Sequence, residues 1–182
     1  MPYCKSIVKM KQLDLTKFFN CCSISSQDHI RQIPQYIKST IVSQNIPFQI
    51  SKNKDAPDTI ICCGQHIPIH QKTTKLHLLG FCNWGAYSDI IRMIDINNCI
   101  HQIPFEFSDI YWGHSVSQAH MFNGEKQLRA MQLFIAENYE GFCHHSNVRL
   151  YHCSSNIEAD VSIKNIILPD NEFIHIIAIT VE

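Results

Sequence analysis

Residues Asn147–Val181 read NVRLYHCSSNIEADVSIKNIILPDNEFIHIIAITV, and their interpretation decides the fold class. Asn147 to His152 has the length and composition of a strand. Ser155 followed by Glu158 forms a capping-box signature ahead of Ile157, Val161, Lys164 and Leu168 at helical spacing. Pro169 stops that pattern, and Glu172 to Val181 is a long β-branched run. Strand, helix and strand in this order make a βαβ unit, so the expectation is a helix from 156 to 167 bridging parallel strands at 147–152 and 172–180.

The same plan extends upstream. Asp58–Cys63 and Lys75–Leu79 are short apolar runs bounded by turn residues, hence strand candidates. Asn83 to Ile94 carries Trp84, Tyr87, Ile90, Ile91 and Ile94 on one helical stripe. Ile100–Ser108 alternates around Pro104 and reads as an edge strand or extended loop. Residues 13–22, 26–45 (kinked at Pro34) and 118–139 (broken at Asn123-Gly124) read as helices. The expected architecture is one α/β domain over 1–182: a helical N-terminal part over 1–51, then a core over 58–182 with a mostly parallel mixed sheet flanked by helices.

Composition bounds the function. The chain has 182 residues, 45% hydrophobic and 17% charged, with a formal net charge of -1. That is one core's worth of chain, and it lacks the basic excess that phosphate neutralisation requires, so no nucleic-acid partner is expected. No segment approaches the run of roughly 20 apolar residues that a membrane span needs, and no signal peptide is apparent. Nine cysteines, an odd number that includes the vicinal pairs Cys21-Cys22 and Cys62-Cys63, make a poor disulfide framework. The expectation is a soluble, cytoplasmic, reducing setting with no membrane association.

In an open α/β sheet, ligands sit beyond the carboxyl ends of the strands. Cys82 falls between the apolar run ending at Gly80 and the helical stripe, where a helix N-terminus would stabilise its thiolate and make it a nucleophile. His152 ends a strand on the expected same face and is the first choice of base, followed by His66 and His175. Asn83 and Gln65 are candidate oxyanion donors, with Phe81, Trp84 and Trp112 as apolar pocket walls. Against this stands ordinary packing: free cysteine is among the most buried residue types, and strand histidines are commonly hydrogen-bonded core residues. Cys62, Cys63, His66, His70, His77 and Cys82 lack paired metal-ligand spacing, so no metal is expected, and no cofactor either.

The segment Lys75–Tyr87, with Gly80 two residues before Cys82 and Asn83 directly after it, resembles the nucleophile elbow of cysteine-bearing α/β-hydrolases of the dienelactone-hydrolase-like kind. That resemblance implies a cysteine-dependent hydrolase or acyl transferase acting on an acyl, ester or (iso)peptide carbonyl of a small-molecule, peptide or protein substrate. Residues from Val148 to Leu168 also resemble the opening strand and helix of the histidine class of ADP-ribosyltransferases, which implies an ADP-ribose or NAD-related module with His152 at the ribose. The opposing reading is a non-catalytic intracellular interaction protein.

Overall fold

The β-branched residues of the described chain are stiff at χ1 and suit a pleated surface better than a helix, and most of them lie in strands. A computed structural model describes residues 9–22, 40–51, 56–107, 129–132 and 149–182. Ten strands cover them: β1 (Lys11–Gln12), β2 (Thr40–Ser43), β3 (Ile46–Gln49), β4 (Ile60–Cys63), β5 (His66–Cys82), β6 (Tyr87–Asp95), β7 (Ile100–Phe107), β8 (Arg129–Gln132), β9 (Arg149–Ile167) and β10 (Asp170–Val181). No helix occurs among the described residues, and every strand pair is antiparallel.

The α/β expectation is therefore corrected to an all-β fold. The expected helix at 156–167 is the second half of β9, where Ile157, Ile163 and Ile166 are buried. The expected helix at 83–94 is a turn followed by β6. At 13–22 only one turn forms, Phe18 and Phe19 N–H donating to the Leu15 carbonyl at 2.8 and 3.2 Å, after the two-residue β1. In the 26–45 stretch the described end, Thr40–Ser43, is strand β2; the rest of it, the helix expected at 118–139, and Trp112 lie outside the described residues. Of the strands expected over 58–63, 75–79 and 172–181, the first forms only from Ile60 to Cys63, as β4, while the other two lie inside β5 and β10. The last and the start of β9 run the same way, but on either side of β5 and with no helix between them.

Two long bent strands make the architecture. The first half of β5 pairs with the second half of β9 (His66↔Ile167 to Thr73↔Val161), and its second half pairs with the first half of β9 (Lys75↔Asn156 to Gly80↔Tyr151). Four residues of β9, 157–160, bulge opposite Thr74 at the bend. β6 and β7 extend the first half; β10, with β1 and β4, and β8 extend the second. The halves face one another: a Cβ on Gly80 would meet the His175 carbonyl and, at 2.7 Å, the ring of Phe107 from β7. Gly80 is thus required by close approach between layers.

β2 and β3 form a separate hairpin whose turn residues Gln44 and Asn45 both have positive φ (53° and 67°), as tight two-residue hairpins demand. It docks on the second half, with Thr180 Oγ1 donating to the Pro47 carbonyl at 2.6 Å and the Phe48 ring edge-on to His152 at 5.0 Å.

Candidate functional site

The structure buries Phe81, Cys82, His152 and His175 and leaves Gln65 and Asn83 half-buried and His66 and Trp84 exposed. Cys82 is the last residue of β5, fully buried and registered with Ile174. The helix that would have favoured its thiolate is replaced by the Asn83–Ala86 turn, so the electrostatic case for a nucleophile has no source here. The Asn83 N–H donates to the Phe173 carbonyl at 2.9 Å, which engages the backbone group expected to hold an oxyanion. Nearby Cys62 is also buried, and burial pushes its thiol well above the ordinary range, with Cys82 and Asp89 adding to the effect.

His175 lies flat on Phe81, ring centroids 4.6 Å apart at 14°, and its Nε2 accepts from Asn83 Nδ2 at 2.8 Å. Burial lowers its pKa to about 4, so the ring is a neutral acceptor at physiological pH. Gln65 and His66 stand at the other end of β5 from Cys82. The Gln65 amide closes the β4–β5 turn, accepting from Cys63 N at 2.9 Å and donating to the Ile61 carbonyl at 2.7 Å, while His66 is exposed. The fold thus brings Phe81, Cys82, Asn83 and His175 together; Gln65 is tied to Ile61 of β4, which is registered with His175, and His66 faces solvent. Along β5, His70 is exposed whereas His77 is buried, which disperses the histidines that invited a zinc reading.

His152 belongs to a different constellation. Its Nδ1 is 3.0 Å from Ser43 Oγ, its Nε2 is 3.1 Å from His77 Nδ1, and His77 Nε2 is 3.2 Å from Glu182 Oε1. With the Glu182 carboxylate as terminal acceptor, one proton order satisfies every member. His77 Nε2–H donates to Glu182, His152 Nε2–H to His77, and the Ser43 hydroxyl to His152. Burial lowers the His77 pKa, opposed by the hydrogen bond and charge of Glu182. Ser43, His152 and His77 are 8%, 2% and 1% exposed, so the relay is internal and ties the β2–β3 hairpin to the sandwich. Sequence reasoning missed Ser43 and Glu182, which no local pattern marks.

Two features face outward. A hollow of about 330 Å³ between β1 and the end of β3 is lined by residues including Leu15, Phe19, Gln49 and Ile50, and by none of the expected catalytic residues. Trp84, at the tip of the β5–β6 turn, is 85% exposed with a left-handed φ of 66°, costly for a bulky side chain. Beside it Tyr87 and Phe173 stack at 5.0 Å and 9°, and one step further Asn171 Nδ2 donates to Asp89 Oδ2 at 3.2 Å, so β6 and β10 are clamped at this end.

A face-to-face, all-antiparallel pair of layers is the architecture of a β-sandwich. Residues 28–182 match the AziU2-like beta-sandwich domain family. The chain belongs to that family. The AziU2-like domain thus accounts for all of β2 to β10, leaving the short β1 outside the match. No curated protein matches the chain. Among the described residues no helix of this AziU2-like domain is long and apolar enough to cross a membrane.

Proposed function

We propose that this AziU2-like domain is a non-catalytic interaction module. One observation carries the reading: Cys82, His152 and His175, the groups best suited to covalent or acid–base chemistry, are 0%, 2% and 3% exposed and packed inside the sandwich, away from the hollow between β1 and β3. A nucleophile and its base must meet a substrate, and binding sites are concave and open to it. Buried, hydrogen-bonded imidazoles serve instead to fix neighbouring elements. A reducing intracellular setting suits the seven described cysteines, which are all unbridged thiols.

Turnover of p-nitrophenyl acetate and butyrate tests this directly. Wild type and Cys82→Ala should release p-nitrophenol at the same slow rate, that of the exposed thiols Cys22, Cys63 and Cys99. A burst of p-nitrophenol that disappears in Cys82→Ala would overturn the proposal in favour of a thiol hydrolase.

A further inference from the structure

We propose that the chain of Ser43, His152, His77 and Glu182 is a proton-operated latch, which acid opens to free the β2–β3 hairpin while the eight-stranded sheet stays folded. The inference goes beyond the interaction-module reading, since it concerns how the domain changes shape and not what it binds. Among the described residues β2 and β3 pair only with each other, so the hairpin shares no strand ladder with the eight-stranded sheet. Side chains hold it there instead. Ile41, Ile46 and Phe48 are buried, Thr180 Oγ1 donates to the Pro47 carbonyl, and Ser43 meets His152. The Phe48 ring stands edge-on to the same imidazole, so His152 touches both the apolar anchor and the hydroxyl of the hairpin. A two-stranded hairpin stripped of such packing is marginal in water.

The latch can take up one proton but not two. A first proton on His152 Nδ1 is accommodated, because the Ser43 hydroxyl can turn from donor to acceptor. A second has to go to His77 Nδ1, where it confronts the His152 Nε2–H across 3.1 Å with no acceptor between them. The surrounding charges keep the rings neutral until acid is added. Burial holds the His77 pKa below its ordinary value and the charge of Lys75 on β5 adds to this, against the hydrogen bond and charge of Glu182 on β10. On β8, Arg129 is registered with His152; on β1, Lys11 Nζ donates to the Ile69 carbonyl at 3.3 Å. The hairpin itself, TIVSQNIPFQ over 40–49, carries no charged or titratable side chain. It cannot answer a second positive charge, and moving away admits the water that can. Gln49, Ile50 and Ser51 line the hollow beside β1, so freeing the hairpin also removes part of that wall.

Hydrogen–deuterium exchange of the full chain at pH 7.0, 6.0 and 5.0, corrected for the intrinsic pH dependence of amide exchange, tests the proposal. Protection over residues 40–49 should fall about tenfold or more from pH 7.0 to 5.0, while the paired amides of β5 and β9 change less than about threefold. His77→Gln keeps a hydrogen-bonding side chain between His152 and Glu182 but leaves one titrating ring, whose single proton Ser43 can accept. Its hairpin protection should therefore stay within about threefold over the same range, whatever its absolute level. His175→Phe removes the buried imidazole stacked on Phe81, outside the latch, and should leave the hairpin's fall intact. Hairpin protection that is indifferent to pH, that falls in step with β5 and β9, or that falls as steeply in His77→Gln as in wild type would each overturn the latch.

Discussion

His77 Nδ1 and His152 Nε2 face one another at 3.1 Å across β5 and β9, and only one of the two nitrogens can carry the shared proton. Glu182 on one side and Ser43 on the other fix which one it is. The pair therefore behaves as a unit. His152→Ala opens a cavity and leaves both the Ser43 hydroxyl and His77 Nδ1 without this partner, so it should lower unfolding stability by about 3 kcal/mol. Ser43→Ala removes only the terminal donor and should cost about 1 kcal/mol. Urea denaturation of the single and double variants at His77 and His152 should show a coupling energy of about 1 kcal/mol or more. Strict additivity would mean that the two rings do not communicate.

Acid should unfold the protein in a window set by its buried imidazoles. His175 has a folded pKa of about 4 against an ordinary value of 6.5, and that of His77 is also lowered. A depressed folded pKa means that the unfolded chain binds more protons between the two values. Stability is then complete above 6.5 and is lost as pH falls from 6.5 through about 4. The His175 contribution alone is about 3 kcal/mol. Thermal denaturation from pH 8 to pH 4 should show Tm falling below pH 6.5, and His175→Phe, which keeps an aromatic ring on Phe81, should flatten that fall. An unchanged slope in His175→Phe would assign the pH dependence elsewhere.

These buried groups also show how far the sequence could be read. Short isoleucine-rich runs such as Ile60–Cys63 and Ile174–Val181 announce strands whatever the fold, and they are strands. The helical stripe through Trp84, Tyr87, Ile90, Ile91 and Ile94 is equally the record of a two-faced strand. In β6, Ile91 and Met93 point to the core while Ile90 is exposed on the outer face, and short apolar segments do not distinguish the two periods. Ser155, read as a helix cap, is instead buried in β9 with its hydroxyl donating to the Pro104 carbonyl at 3.4 Å. Once those helices became strands, the convergence of parallel strand ends on Cys82 disappeared with them. The relay was invisible for another reason: Ser43 and His152 are 109 residues apart, His77 and Glu182 105, and only long-range register joins them.

Gly80 should tolerate no side chain. It pairs with Tyr151 on one side and Ile176 on the other, beside the irregularity between Ile176 and Ala178, and faces Phe107 across the core. A Cβ there collides with the His175 backbone carbonyl as well as with the Phe107 ring, so side-chain rotation alone cannot make room. Gly80→Ala should be destabilised by about 3 kcal/mol, the upper end of overpacking in a well-filled core. Gly64→Ala, where an added Cβ meets nothing within 4 Å but φ is 74°, provides a contrast: it should lose about 1 kcal/mol through backbone strain alone. Equal losses in the two variants would mean that the layers are not closely apposed at Gly80.

Thiol reactivity separates burial from chemistry at Cys82. Alkylation requires an accessible thiolate, and Cys22, Cys63 and Cys99 are exposed whereas Cys62, Cys82 and Cys153 are buried. For Cys62 burial raises the thiol pKa as well, which removes both requirements at once. Under native conditions at pH 7.5, iodoacetamide followed by peptide mass mapping should, among the described cysteines, label Cys22, Cys63 and Cys99 first. Cys62, Cys82 and Cys153 should react only at the rate of opening of the sandwich, so urea below the unfolding midpoint should accelerate them and leave the exposed three almost unchanged. Labelling of Cys82 ahead of Cys63 and Cys99 in the absence of urea would demand an activated, accessible thiolate, and with it a return to the nucleophile that the lost helix had been expected to create.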